Sequence, residues 1–218
     1  MTQGPIASAN GTTAEIQPAS LRPDLQMIAD LITPGSRVLD VGCGDGALLD
    51  YLVREKDVDG RGMELDQDGV NACVGKGLFV VQGDADSDLG DYSDGTFDTV
   101  VLSRTLQAVH RPRDVLAHLL RIGRQAVVTI PNFGYLPVRL RLLFGGRMPV
   151  TRALDQSWFE TENIHFCTIL DLFDLARLEG ADVTAFLPQG RKDRPLSLGP
   201  GLSNLFAEQA LFRLEKQT

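Results

Sequence analysis

Apolar positions along this chain fall into two alternating rhythms. Short segments bounded by Gly, Pro or Asp predict strands at Val38–Val41, Gly60–Glu64, Leu78–Gln82, Thr99–Leu102, Gln125–Ile130, Ala181–Leu187 and Glu208–Leu214. Between them the period lengthens to that of a helix. Leu25, Ile28, Ala29 and Ile32 mark one helix ahead of the first strand, and Ala47–Leu52, Val70–Lys76, Pro112–Ile122 and Ile169–Leu178 mark four more. Pro112 suits a first helical turn, and Thr168 with Asp171 resembles a capping box in which Asp replaces Glu or Gln. Strands alternating with helices predict an α/β domain. Two stretches break the rhythm. Tyr135–Phe144 is apolar with two arginines, and Gln189–Gly201 reads as a polar, Pro- and Gly-rich connection.

The first strand runs into Gly42-Cys43-Gly44-Asp45-Gly46, with Asp40 two positions before the first glycine. Glycines at the carboxyl end of a parallel strand let backbone N–H groups approach a ligand, and the next helix aims its positive end at the same crevice. The spacing is not the dinucleotide pattern G-x-G-x-x-G, and the Walker lysine and hydroxyl pair is missing. Asp40 would repel a pyrophosphate but attract the ammonium of an amino acid. D-x-G-x-G-x-G resembles the first motif of class I S-adenosylmethionine (SAM) methyltransferases. That resemblance implies a Rossmann-like fold with a seven-stranded, mostly parallel sheet and helices on both faces. It also implies SAM or its demethylated product, S-adenosylhomocysteine, as ligand.

Glu64 ends the second strand beside the glycine turn, where a carboxylate can accept hydrogen bonds from ribose hydroxyls, with Leu65 next to it. The same stretch also reads as a solvated acidic loop, since Asp66 and Asp68 follow. In the methyltransferase pattern Asp84 meets the adenine amino group and Ala85 packs against the ring. Asp98 is expected to fix the start of the fourth strand. Ser103, Leu106 and Gln107 are expected just past that strand's end, facing the crevice, where the N-P-P-Y box of amino-directed methyltransferases is absent. Cys43 is expected to fill space within the cofactor-binding turn. His110 and His165 are candidate bases and Asn132 and Tyr135 candidate acceptor contacts, but no residue is assigned a catalytic role.

At 218 residues the chain suits one α/β domain, expected over residues 21–218 after an Ala-, Gly-, Ser- and Thr-rich tail over Met1–Ser20 expected to be loosely ordered. The tail has neither the basic start nor the apolar core of a signal peptide. The three cysteines form no C-x-x-C pair, which argues for a reducing cytoplasm and against a zinc site. No apolar run is long enough for a bilayer. The net charge of −8 argues against broad nucleic-acid binding. Charge is nevertheless uneven: Asp40–Asp98 holds fifteen acids and four bases, whereas Arg104–Arg152 holds nine arginines and one acid. The second stretch reads as a solvated helix face or a local basic face for a partner.

Leu21-Arg22-x-Asp24-Leu25, Leu102-Ser103-x-Thr105-Leu106-Gln107, Pro131-Asn132-Phe133-Gly134, Gly146-Arg147-Met148-Pro149-Val150-Thr151 and Asn163-Ile164-His165-x-Cys167-Thr168 resemble the bacterial methionine biosynthesis protein MetW family. The resemblance implies association with homoserine O-acetyltransferase. One expectation is therefore a SAM-responsive subunit of that enzyme; the other is a genuine methyltransferase acting on a small acid or RNA. Residues 134–167 are expected to be a lid, a homodimer surface or a partner surface, and Tyr135–Thr161 within them should discriminate between the two. An enzyme should leave a polar, acceptor-sized cavity, whereas a regulatory subunit could close it with Met148, Trp158 and Phe159.

Overall fold

A parallel sheet is laid down from the middle outwards. The computed structural model describes residues 21–217, so the expected tail lies outside them. Strand β1 (Arg37–Val41) pairs in parallel with β2 (Asp59–Glu64), and β2 with the short β3 (Val80–Gln82). The chain then crosses back, so that β4 (Phe97–Ser103) lies on the other side of β1, followed by β5 (Gly123–Pro131). Finally β7 (Gln209–Lys216) inserts antiparallel between β5 and β6 (Ala181–Gln189). The order β3-β2-β1-β4-β5-β7-β6 leaves a switch point between β1 and β4, where open α/β sheets bind ligands.

Alternation along the strands explains why both faces are covered. Val38, Val101, Val127 and Leu211 pack with Leu25, Ile28 and Ala29 of α1 (Pro23–Leu31) and Leu48 and Leu52 of α2 (Ala47–Lys56). Their neighbours Leu39, Val100, Leu102 and Val128 point the other way, onto α4 (Pro112–Ile122) and α6 (Ile169–Leu178). Helix α3 (Gln67–Gly75) meets α2 through Cys73 and Leu49. Helix α6 carries the expected capping box: Thr168 Oγ1 accepts from the Asp171 amide, and the Asp171 carboxylate accepts from the Thr168 amide at 2.8 Å. Asp98 takes the Arg37 amide at 2.9 Å, tying the starts of β1 and β4 together.

Several expectations are corrected. Leu78 is not in β3 but in the turn before it, buried beneath the glycine turn. Ser103 is the last residue of β4, in register with Thr129, rather than just past the strand. Helix α7 (Pro200–Phe206) overlaps the end of the expected polar connection; it packs on α6 and is held by buried Ser203 and Asn204. The apolar segment becomes α5 (Leu136–Gly145), of which only Val138 is buried. The uneven charge cancels only in part. Arg113, Arg121, Arg124 and Arg152 pair with Glu179, Asp94, Asp98 and Asp193 respectively.

Candidate functional site

The turn after β1 is built by three left-handed glycines: Gly42, Gly44 and Gly46 have φ of +70°, +56° and +75°. At Gly46 a Cβ would stand 2.7 Å from Cys73 Sγ and Leu78 Cδ1, so the core itself excludes a side chain. At Gly44 a Cβ would meet nothing within 4 Å, because this residue faces the open crevice. The Gly42 amide donates to the Met63 carbonyl at 2.8 Å, locking the turn against β2. The Gly44 amide donates to Glu64 Oε2 at 2.6 Å, while Glu64 Oε1 accepts from the Asp66 amide at 3.0 Å. Each oxygen therefore keeps a lone pair for a further donor.

Beside this turn opens a cleft of about 710 Å³, into which Glu64, Leu65, Asp84, Ala85, Arg104 and His110 project. Its carboxylates outnumber its cations, so it suits a cationic or neutral ligand and disfavours a phosphate. Asp84 Oδ1 accepts from the Asp86 amide at 2.8 Å. Asp86, an acid that carried no assignment, accepts from the His110 amide at 2.7 Å and the Arg111 amide at 2.8 Å. It staples the loop after β3 to the loop after β4.

A second cleft of about 610 Å³ lies across Gly42, Gly44 and Arg104, with Asp40, Cys43, Ser103, Gln107, Asp155, Glu162 and Asn163 in its wall. Asp40 is 2% exposed. Burial, and then the Glu64 charge, push its carboxyl up to about 7. Arg104 holds φ +55°, an unfavourable conformation for a residue with a Cβ, because its amide is fixed to Thr129 Oγ1 at 2.9 Å. Its guanidinium donates to the Ala153 carbonyl at 3.2 Å. Gln107, 3% exposed, donates through its side-chain amide to the Arg104 carbonyl, and its Oε1 has no donor among the described residues. The Gln107 main-chain carbonyl accepts from Ile164 at 3.0 Å and His165 at 2.9 Å. Residues after α5 thus hang from the same loop that lines the clefts.

The profile of the methionine biosynthesis protein MetW family matches residues 22–214, so it takes in every residue of both clefts. The chain belongs to this family. A bifunctional methionine biosynthesis protein MetXA/MetW from Rhodopirellula baltica is 34% identical over 188 residues, covering 80% of this chain and 30% of that one. The chain therefore spans less than a third of that relative. Among solved structures, a SAM-dependent methyltransferase from Thermotoga maritima aligns with TM-score 0.64 at 19% identity, covering 89% of this chain and 88% of that one. Another from Archaeoglobus fulgidus aligns at 0.65 and 18% identity, covering 89% and 92%. The fold is that of class I SAM-dependent methyltransferases.

In this MetW-family domain the ten cofactor candidates lie around one crevice. Asp40, Gly42, Gly44 and Ser103 meet Glu64, Leu65, Asp84 and Ala85 across the two clefts, with Cys43 in the wall and Gly46 beneath it. Cys43 sits 3.9 Å from Cys73 Sγ, and burial raises both thiols. Leu106 is corrected: it is buried in the α4-side core rather than facing the crevice. Asn132 is corrected as an acceptor contact, because its amide donates to the Asn204 and Ala207 carbonyls and its Oδ1 accepts the Gly134 amide, all within the core. Tyr135 and His165 line neither cleft; His110 does, with its ring exposed. Trp158 and Phe159 do not close the crevice either: each is 70% exposed. Arg22, Arg104, Asp155 and Glu162 escaped the sequence reading because only distant chain folding brings them to the glycine turn. Among the described residues, no cluster of three or more His, Cys, Asp or Glu is placed for a metal, and no helix is long and apolar enough to cross a membrane.

Proposed function

We propose that this domain binds SAM or S-adenosylhomocysteine and acts with homoserine O-acetyltransferase in methionine biosynthesis, its ligand state setting the partner's activity. The observation that carries the partnership is the R. baltica relative, in which MetXA and MetW are one polypeptide. The cradle supports the ligand. Glu64 offers two acceptor oxygens for vicinal ribose hydroxyls, Asp84 and Ala85 flank the space for the base, and Asp40 with the Ser103 end of β4 offers negative charge to an ammonium. When bound, SAM carries a methyl group on a sulfonium. With its carboxyl pushed up to about 7, Asp40 is part-protonated near neutral pH without a ligand and would give up the remaining proton on meeting the ammonium. A ligand changes the partner's activity only through different affinities for the two states.

Calorimetry on the full chain should give saturable binding of both ligands. Acetyl transfer should respond to saturating ligand only when this protein is present. Absence of heat for either ligand removes the cofactor reading, and acetyl transfer indifferent to ligand removes the regulatory one. A second reading, methyl transfer to a small acceptor, is favoured by the polar second cleft, which Trp158 and Phe159 leave open. There the chain would act mainly by positioning. Stoichiometric S-adenosylhomocysteine release with small acids or RNA would support it.

A further inference from the structure

We infer that α5 and the segment from Met148 to Phe166 form the surface on which the acetyltransferase polypeptide docks, through an apolar projection rimmed by carboxylates. The inference rests on the partnership proposed above and names where it is made. Phe144 is 81% exposed, and Leu143, Trp158, Phe159 and Phe166 are exposed as well, Trp158 and Phe159 packing edge to face at 5.6 Å. A groove of about 520 Å³ between Leu140, Phe144 and Arg147 runs into a second one under Trp158 and Phe166, sharing Met148 and Pro149. Contiguous apolar surface of this kind, with Trp and Arg together, is what protein interfaces use.

Charge selects the occupant. Arg139, Arg141 and Arg147 form no ion pair among the described residues, unlike Arg113, Arg121, Arg124 and Arg152 of the same basic stretch. Two-fold pairing with a second copy would set these arginines against each other or against the strip's own exposed Asp155, Glu160 and Glu162. Pairing with the acidic β2–β3 side of another copy would be head-to-tail, which closes into rings or runs into open filaments. A different polypeptide needs no such symmetry, and the R. baltica relative carries MetXA in the same chain. The strip is also wired to the ligand clefts, since Ile164 and His165 hang from Gln107 and Ala153 from Arg104.

The test is sedimentation of the full chain with homoserine O-acetyltransferase of the same source, for the native protein and for Phe144→Asp, Trp158→Asp and Arg147→Glu. Native protein should co-sediment. Each apolar variant should weaken association at least tenfold while binding SAM with the native heat. Arg147→Glu, an exposed charge reversal that leaves packing alone, should weaken it severalfold, and more at low salt than at high. If native and all three variants associate equally, the surface is wrong although the partnership stands. If native protein does not associate at all, the partnership fails and this inference with it. If the native chain is a dimer that these variants dissociate, the face belongs to a second copy and the inference is overturned.

Discussion

The crevice at β1 and β4 and the face of α5 are opposite solutions to presenting chemistry. In the crevice Asp40 is buried, Glu64 is half-buried, and the backbone amide of Gly44 is aimed by a left-handed turn. On α5, large apolar groups stand in water and arginines lack acidic partners among the described residues. A small ligand needs prearranged polar atoms in a concave site, and a protein partner needs apolar area with a charged rim. The two proposed tasks therefore correspond to two distinguishable signatures.

The sharpest way to break that contrast is at the turn itself. Gly46→Ala forces a Cβ into Cys73 and Leu78 at φ +75° and should cost roughly 2–5 kcal/mol in urea unfolding. Gly44→Ala has space for its methyl and should cost only about 1–2 kcal/mol of backbone strain, while abolishing ligand heat. Equal destabilisation by the two would mean Gly44 serves packing rather than ligand approach. Next, Glu64→Gln should weaken SAM about 10–100-fold and also cost about 1–3 kcal/mol of stability, because one of the two backbone amides that Glu64 accepts would face an –NH2 group. An unchanged isotherm would return Glu64 to a solvated acidic loop.

Asp40 provides a pH test. Its acid lies at about 7 folded against an ordinary 3.8, so between those values the folded state keeps a proton that the unfolded chain has lost. Stability without ligand should fall from about pH 4 to about pH 7 and level off above. Affinity for a cationic ligand should instead rise up to about pH 7, because the anion is the binding form. Asp40→Asn should flatten both profiles, and Glu64→Gln should move their inflection down. The smallest effect belongs to α5: Leu143→Lys should shift unfolding by no more than about 0.5 kcal/mol and leave SAM affinity unchanged. A larger loss would mean that this face is packed within the chain.

What could be read along the chain was what neighbours in sequence decide. The D-x-G-x-G-x-G turn, the strand–helix alternation and the Thr168–Asp171 cap depend on residues a few positions apart, and they specified the fold and part of the crevice wall. Folding over long separations decided the rest. Asn132 turned inward because Asn204 and Ala207 offered carbonyls to its amide, and Arg104 joined both clefts because Thr129 fixed its backbone. Four of the nine arginines in the basic stretch found acids elsewhere, and the glycine turn gained walls from Asp155 and Glu162 far along the chain. Local backbone preference and hydrophobic period are written in consecutive residues. Pairing of polar groups and exposure of a face depend on what the rest of the sheet brings alongside.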